Sequence, residues 1–155
     1  MDIDERPYER DDIITVRTLI RADLPRLIRI DEAYSGRNRA RYLEGKLQRA
    51  LAADIQVSLG AEIDGVLVGA ILGSVHYGEF GLAEPIAILD TLLVDPHRAR
   101  QGVGRSMLDQ LVKNLQALRI ERIRTEVGWN EHDLVRFLAG SGFEPVPRLV
   151  LERTV

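Results

Sequence analysis

The residues best suited to chemistry gather between Asp90 and Arg105. Leu92-Leu93-Val94-Asp95-Pro96 closes an apolar run, and Arg98, Arg100, Gln101, Gly102, Val103, Gly104 and Arg105 lead from it into a helical pattern. The start of a helix carries backbone N–H groups without intrahelical partners and a partial positive charge. Gly102 and Gly104 keep side chains away from those amides, and three arginines add cationic donors beside them. A pyrophosphate suits such a turn, although Gly-x-Gly before a helix also serves as a plain turn. A dinucleotide fingerprint needs a third glycine where Met107 stands, and the Gly-Lys-Ser/Thr of a Walker loop is absent. Asp90 is the second signal. A carboxylate inside the run Ile86–Val94 is costly unless it is solvated or paired, so its presence asks for a reason. It reads either as a general base or as a group facing a wet cleft and bonded to a neighbour such as Thr91.

Weaker candidates surround these two. Glu84, just before the same run, is an alternative base or an exposed loop carboxylate, and Glu79 in that loop is a lesser one. Either could attract a cation. His76 and Tyr77 end the preceding strand, where they could line a pocket. Glu126 faces a substrate or pairs with a neighbour. Trp129 reads as core or wall rather than as a stacking platform.

The elements that must position these residues follow from pattern. The chain has 155 residues, 45% hydrophobic and 29% charged, which fits one globular domain with its own core. With no cysteine, disulfides, thiolate metal sites and a thiol nucleophile are excluded. A net charge of −3 carries no basic excess for coating phosphate backbones, so no nucleic-acid partner is expected. Asp2, Asp4 and Glu5 after Met1 do not form a basic leader, and no apolar run reaches membrane length. These features predict a soluble, cytoplasmic protein without a membrane partner.

Residues 1–12 read as a polar N-terminal extension, and 13–155 as a single domain. A strand is expected over Ile13–Thr18, then a helix capped by Asp23 with Pro25 in its first turn, ended by Gly36. A second helix follows through Tyr42, Leu43, Leu47 and Leu51. Gln56–Ile63 and Val66–His76 form a hairpin about Asp64–Gly65. Ile86–Val94 is a covered strand, Gly102–Leu118 a helix and Ile120–Val127 another strand. Asn130 then caps a short helix closed by Gly140 or Gly142, and Val146–Arg153 ends the chain in one or two strands. Such an order gives a mixed sheet with helices, α/β or α+β.

This arrangement resembles the GCN5-related N-acetyltransferases, the GNAT superfamily. Val94-Asp95-Pro96 and Gly102-Val103-Gly104 are similar to its main motif, Thr15-Val16-Arg17 and Asp23 to its opening, and Asn130, Phe137, Gly142 and Phe143 to its late motif. The resemblance implies a mixed, splayed central sheet flanked by helices on both faces. It also implies an acetyl-CoA-dependent N-acetyltransferase that moves acetyl directly to a primary amine, with acetyl-CoA as co-substrate and no metal. The amides of Gln101, Gly102, Val103 and Gly104 would hold the pyrophosphate, helped by Arg98, Arg100 and Arg105. The edge Leu92, Leu93 and Val94 would pair with the pantetheine arm, near Asn130. Asp90 takes the base position.

Two positions depart from the family pattern. Ala99 stands where a motif Arg or Gln is usual, with Arg98 and Arg100 on either side. Leu138 stands where a tyrosine usually protonates the leaving thiolate, so the acid would be Tyr77, Tyr34 or water. The acceptor would be a small-molecule or protein amine, and the chain a monomer or homodimer. The alternative is a non-catalytic acyl-CoA-binding or regulatory domain of the same fold.

Overall fold

In the computed structural model, residues 13–155 are described; the polar extension expected at 1–12 lies outside them. Five strands lie side by side in chain order: β1 Thr15–Thr18, β2 Leu59–Ile63, β3 Val66–His76, β4 Ile86–Val94 and β5 Ile123–Arg124. The first four are antiparallel neighbours, and β5 runs parallel to β4, so the sheet is mixed as expected. Helices α1 Leu24–Ser35 and α2 Ala40–Ala52 come between β1 and β2, and α3 Val103–Ala117 comes between β4 and β5.

Side chains alternate across a strand, so β3 shows which helix covers which face. Ala70 and Leu72 join Leu27 of α1 and Leu47 of α2 in one buried cluster. A Cβ on the intervening face, at Gly69, would meet Val103 and Met107 of α3 instead. Helices therefore cover both faces. The Asp64–Gly65 hairpin forms as read: Ile63 pairs with Val66, and both turn residues have positive φ, 51° and 76°, the signature of the turn that matches strand twist.

Two compact units divide the chain, one ending at Thr125 and one running from Glu126 to Val155. In the second, α4 spans His132–Gly140 and follows Glu131, so Asn130 is not its cap residue. Gly142, at φ 92°, takes the left-handed position after the helix, and Phe143 N–H returns to Leu138 O at 3.0 Å.

Other expected boundaries shift for identifiable reasons. Asp23 holds the cap position before α1 as expected, but its carboxylate bonds no α1 amide, because it turns back to Ile20 N–H and to Arg17. Only Ile123–Arg124 of the expected Ile120–Val127 strand pairs with β4, at Ala87 and Ile88. No strand forms over 146–153: Pro145 and Pro147 lack the donors a ladder needs, and the unit from Glu126 onward contains no strand to pair with.

Candidate active site

The candidate site lies along β4, and one extra residue in that strand sets its geometry. Leu72 pairs with Thr91 and Gly73 with Leu89, which leaves Asp90 without a partner on β3. A bulge of this kind bends the strand and re-aims a side chain. Asp90 accordingly turns out to the helix face that carries α2. Its Oδ1 receives Lys46 Nζ of α2 at 2.5 Å and the Thr91 hydroxyl at 2.6 Å. The Asp90 side chain is 45% exposed while that of Lys46 is only 13% exposed, so the ammonium is the more enclosed partner.

On its other side β4 is open. The β5 ladder stops at Ile88, and Thr125 Oγ1 closes it with a hydrogen bond to Leu89 O at 2.7 Å. No strand among the described residues pairs with Asp90–Val94 on that edge. Ladder alternation then decides which groups face outward. Asp95 N–H donates to Val68 O at 2.7 Å, so Leu93 and Thr91 spend their backbone groups on β3 while Val94 and Leu92 turn theirs to the open edge. Of the three residues expected to pair with an extended ligand, Leu92 and Val94 therefore present backbone there and Leu93 does not. Val94 O already accepts the Tyr34 hydroxyl from α1. Burial, and then the charge of Asp95, push the Tyr34 phenol above its ordinary pKa, so it stays a neutral donor.

Beyond β4 the chain turns into α3. Asp95 accepts His97 N–H at 3.0 Å and Arg26 at 3.1 Å, and Arg26 also donates to Leu67 O. This ties the turn to α1 and β3. Arg100 (φ 62°) and Gly102 (φ 84°) both adopt left-handed backbone, and Gly102 offers no side chain to cap α3. A Cβ at Gly102 would meet nothing within 4 Å, so the space before the helix is open. Gly104 is buried, Arg100 and Arg105 are exposed and Arg98 is half-buried. Gln101 Oε1 is a buried acceptor without a hydrogen-bond partner among the described residues. Uncapped first-turn amides, open space and flanking guanidiniums fit a diphosphate of the kind acetyl-CoA carries.

The remaining candidates lie elsewhere. His76 pairs with Ile86, four residues before Asp90, so Tyr77 and Glu84 flank the far end of β4, about 13 Å along the strand. Tyr77 is exposed, Glu84 is exposed at 3.9 Å from Arg122, and His76 bonds Ser74 and Glu79. Asn130 is exposed in the second unit, where Leu138 is buried. Trp129 is 99% exposed and so forms no core wall. Among the described residues, no group of three or more His, Asp or Glu side chains could hold a metal ion.

Residues 24–143 match the model of the acetyltransferase (GNAT) family. The chain belongs to that family. It is thus an acetyltransferase, and the fold expected from the resemblance is the one observed. An aminoglycoside N-acetyltransferase, AAC(6')-Iy, solved with CoA, superposes with a TM-score of 0.79 at 17% identity, covering 96% of this chain and 99% of its own. The ribosomal-protein-alanine N-acetyltransferase of Brucella melitensis biovar Abortus 2308 superposes with a TM-score of 0.73 at 18% identity, covering 92% and 100%. AAC(6')-Ih from Acinetobacter baumannii gives 0.77 at 13% identity, covering 92% and 98%. No curated protein sequence matches the chain.

Lys46 is the site residue that sequence pattern missed. It lies on an amphipathic helix where a lone lysine reads as a solvent-facing charge, and its partner is 44 residues away.

Proposed function

We propose that this GNAT enzyme transfers acetyl from acetyl-CoA directly to a primary amine, with Asp90 as the base. The observation that carries this reading is the open edge of β4, set between a bulged carboxylate and an uncapped helix start. The first-turn amides of α3, with Arg98, Arg100 and Arg105, would hold the diphosphate. The outward backbone of Val94 and Leu92 would bond the arm like an added strand, which ends its thioester at the bulge. Support also comes from what similar structures bind: one holds CoA, and their names describe enzymes that acetylate aminoglycosides or a ribosomal protein's alanine.

An alkyl amine is protonated at neutral pH and cannot attack until a base takes its proton. Asp90 would do so, directly or through one water, once the acceptor displaces Lys46. Leu138 has no proton to give, and Tyr34 is bonded to Val94 O at the other end of the edge. We assign the leaving group's proton to solvent, because a thiol with a pKa near 8.5 leaves as thiolate without an acid.

An amine screen that follows release of CoA thiol, beside calorimetry of acetyl-CoA binding, tests this. Turnover with a primary amine supports the proposal; acetyl-CoA binding with no primary amine acetylated overturns it. Gly102→Glu places a like charge before α3, so acetyl-CoA affinity should collapse, while Gly102→Ala, which carries the same backbone strain at φ 84° without the charge, should keep most of it. Buried Gly104 is the poorer test site, since a carboxylate there would also disturb packing.

A further inference from the structure

The chain holds 19 arginines but only two lysines, Lys46 and Lys113. Arginine stays protonated and is no acceptor for acetyl transfer, so these two are the side-chain amines available for it. Lys113 is exposed on α3. Lys46 is enclosed, with Nζ 2.5 Å from Asp90 Oδ1 and 5.5 Å from the Tyr42 ring centre. Arg39 stacks on the same ring at 4.7 Å and pairs with buried Asp31, which fixes this face of α2 against α1. One of the two lysines thus stands where the proposed base would receive an acceptor amine.

We infer that Lys46 is itself an acceptor, acetylated in cis when acetyl-CoA occupies the β4 edge. This rests on the function proposed above. In the step, Asp90 takes one proton from the Lys46 ammonium, directly or through water. The freed nitrogen lone pair forms a bond to the thioester carbonyl carbon, the carbon–sulfur bond breaks, and its electron pair leaves on sulfur. The nitrogen's surplus proton passes to that sulfur or to solvent. The products are an Nε-acetyl-lysine and CoA thiol, with one proton released to Asp90 and then to water. Acetylation removes the charge that holds Lys46 on Asp90, so the modified chain has its base free for an external amine.

The test is peptide mass spectrometry on the full chain. Incubated with acetyl-CoA, it should gain one acetyl group in the peptide Tyr42–Arg49, at a first-order rate independent of protein concentration. Lys113 should be labelled about a hundredfold more slowly, the order of what a positioned base contributes. Acetic anhydride without CoA should give the reverse order, because exposure alone then decides and Lys113 is the open amine. Asp90→Asn should abolish the Lys46 label while calorimetry still shows acetyl-CoA binding. Equal labelling of both lysines by acetyl-CoA overturns the inference. So does an unlabelled Lys46 in a preparation that acetylates an external amine, a result that leaves the proposed function standing. Failure to bind acetyl-CoA overturns both.

Discussion

Asp90 is aimed by the bulge between β3 and β4 and held by the Lys46 ammonium of α2. Asp90→Asn keeps the shape and removes the basic oxygen. Steady-state turnover should then fall about a hundred- to ten-thousand-fold, with acetyl-CoA affinity by calorimetry little changed. Near-normal turnover across pH would assign proton removal to water. Tyr34 carries a second residue-scale prediction. Its folded pKa lies above the ordinary phenol value, through burial and then Asp95, so the group stabilises the fold fully below about pH 10. That contribution is lost as pH rises through the folded value. Tyr34→Phe should cost no more than about 1 kcal/mol at neutral pH. It should also remove the alkaline decline in melting temperature that the native phenol produces.

Elements were legible where pattern and partner agree. β3 and β4 run over the residues expected of them, and α3 falls one residue short at each end, because their apolar periods match the faces they bury. β5 and the tail were not legible. Extended propensity cannot say whether a partner strand is present, and β5 parts from β4 after two residues. That parting opens the edge on which the proposed function depends. The bulge was illegible for the same reason, since register is a property of two strands. Gly73 marks it: a Cβ there would lie 2.3 Å from Ile88 O, a backbone atom of β4 with no freedom to move away. Gly73→Ala should therefore destabilise the protein by about 1–3 kcal/mol, the range for overfilling a packed site. Melting temperature should drop by about 2–4 °C per kcal/mol in a chain of this size. Turnover should fall as well, because Asp90 is aimed by the register that Gly73 permits. A melting temperature equal to that of the native protein would show that β3 and β4 can separate here at no cost.

At the scale of the whole molecule, the surplus of arginine over lysine has a structural use. A guanidinium fork can bond several groups at once, and three arginines join elements distant in sequence. Arg26 links α1 to β3 and Asp95, Arg39 links α2 to Asp31 of α1, and Arg17 links β1 to Glu62 of β2 and to Asp23. Fold class was readable from the order of periods, yet these ties were not, since each joins residues that look like surface charge. The Arg17 site gives the sharpest test. Asp23 is 5% exposed, and desolvation alone would raise its pKa. Hydrogen bonds from Arg17 and from Ile20 N–H outweigh that and hold it below the usual carboxylate value. A depressed folded pKa gives stability that is present above about pH 4 and lost as pH falls through the folded value. Asp23→Asn should cost up to about 3 kcal/mol at pH 7, the low end for a broken buried pair, because Glu62 still holds Arg17 at 2.9 Å. The gap in melting temperature between native and variant chains should then narrow steadily in acid, as the native carboxyl takes up its proton. An equal gap at pH 7 and at about pH 2.5 would show that Asp23 holds the fold by shape and neutral hydrogen bonds rather than by charge.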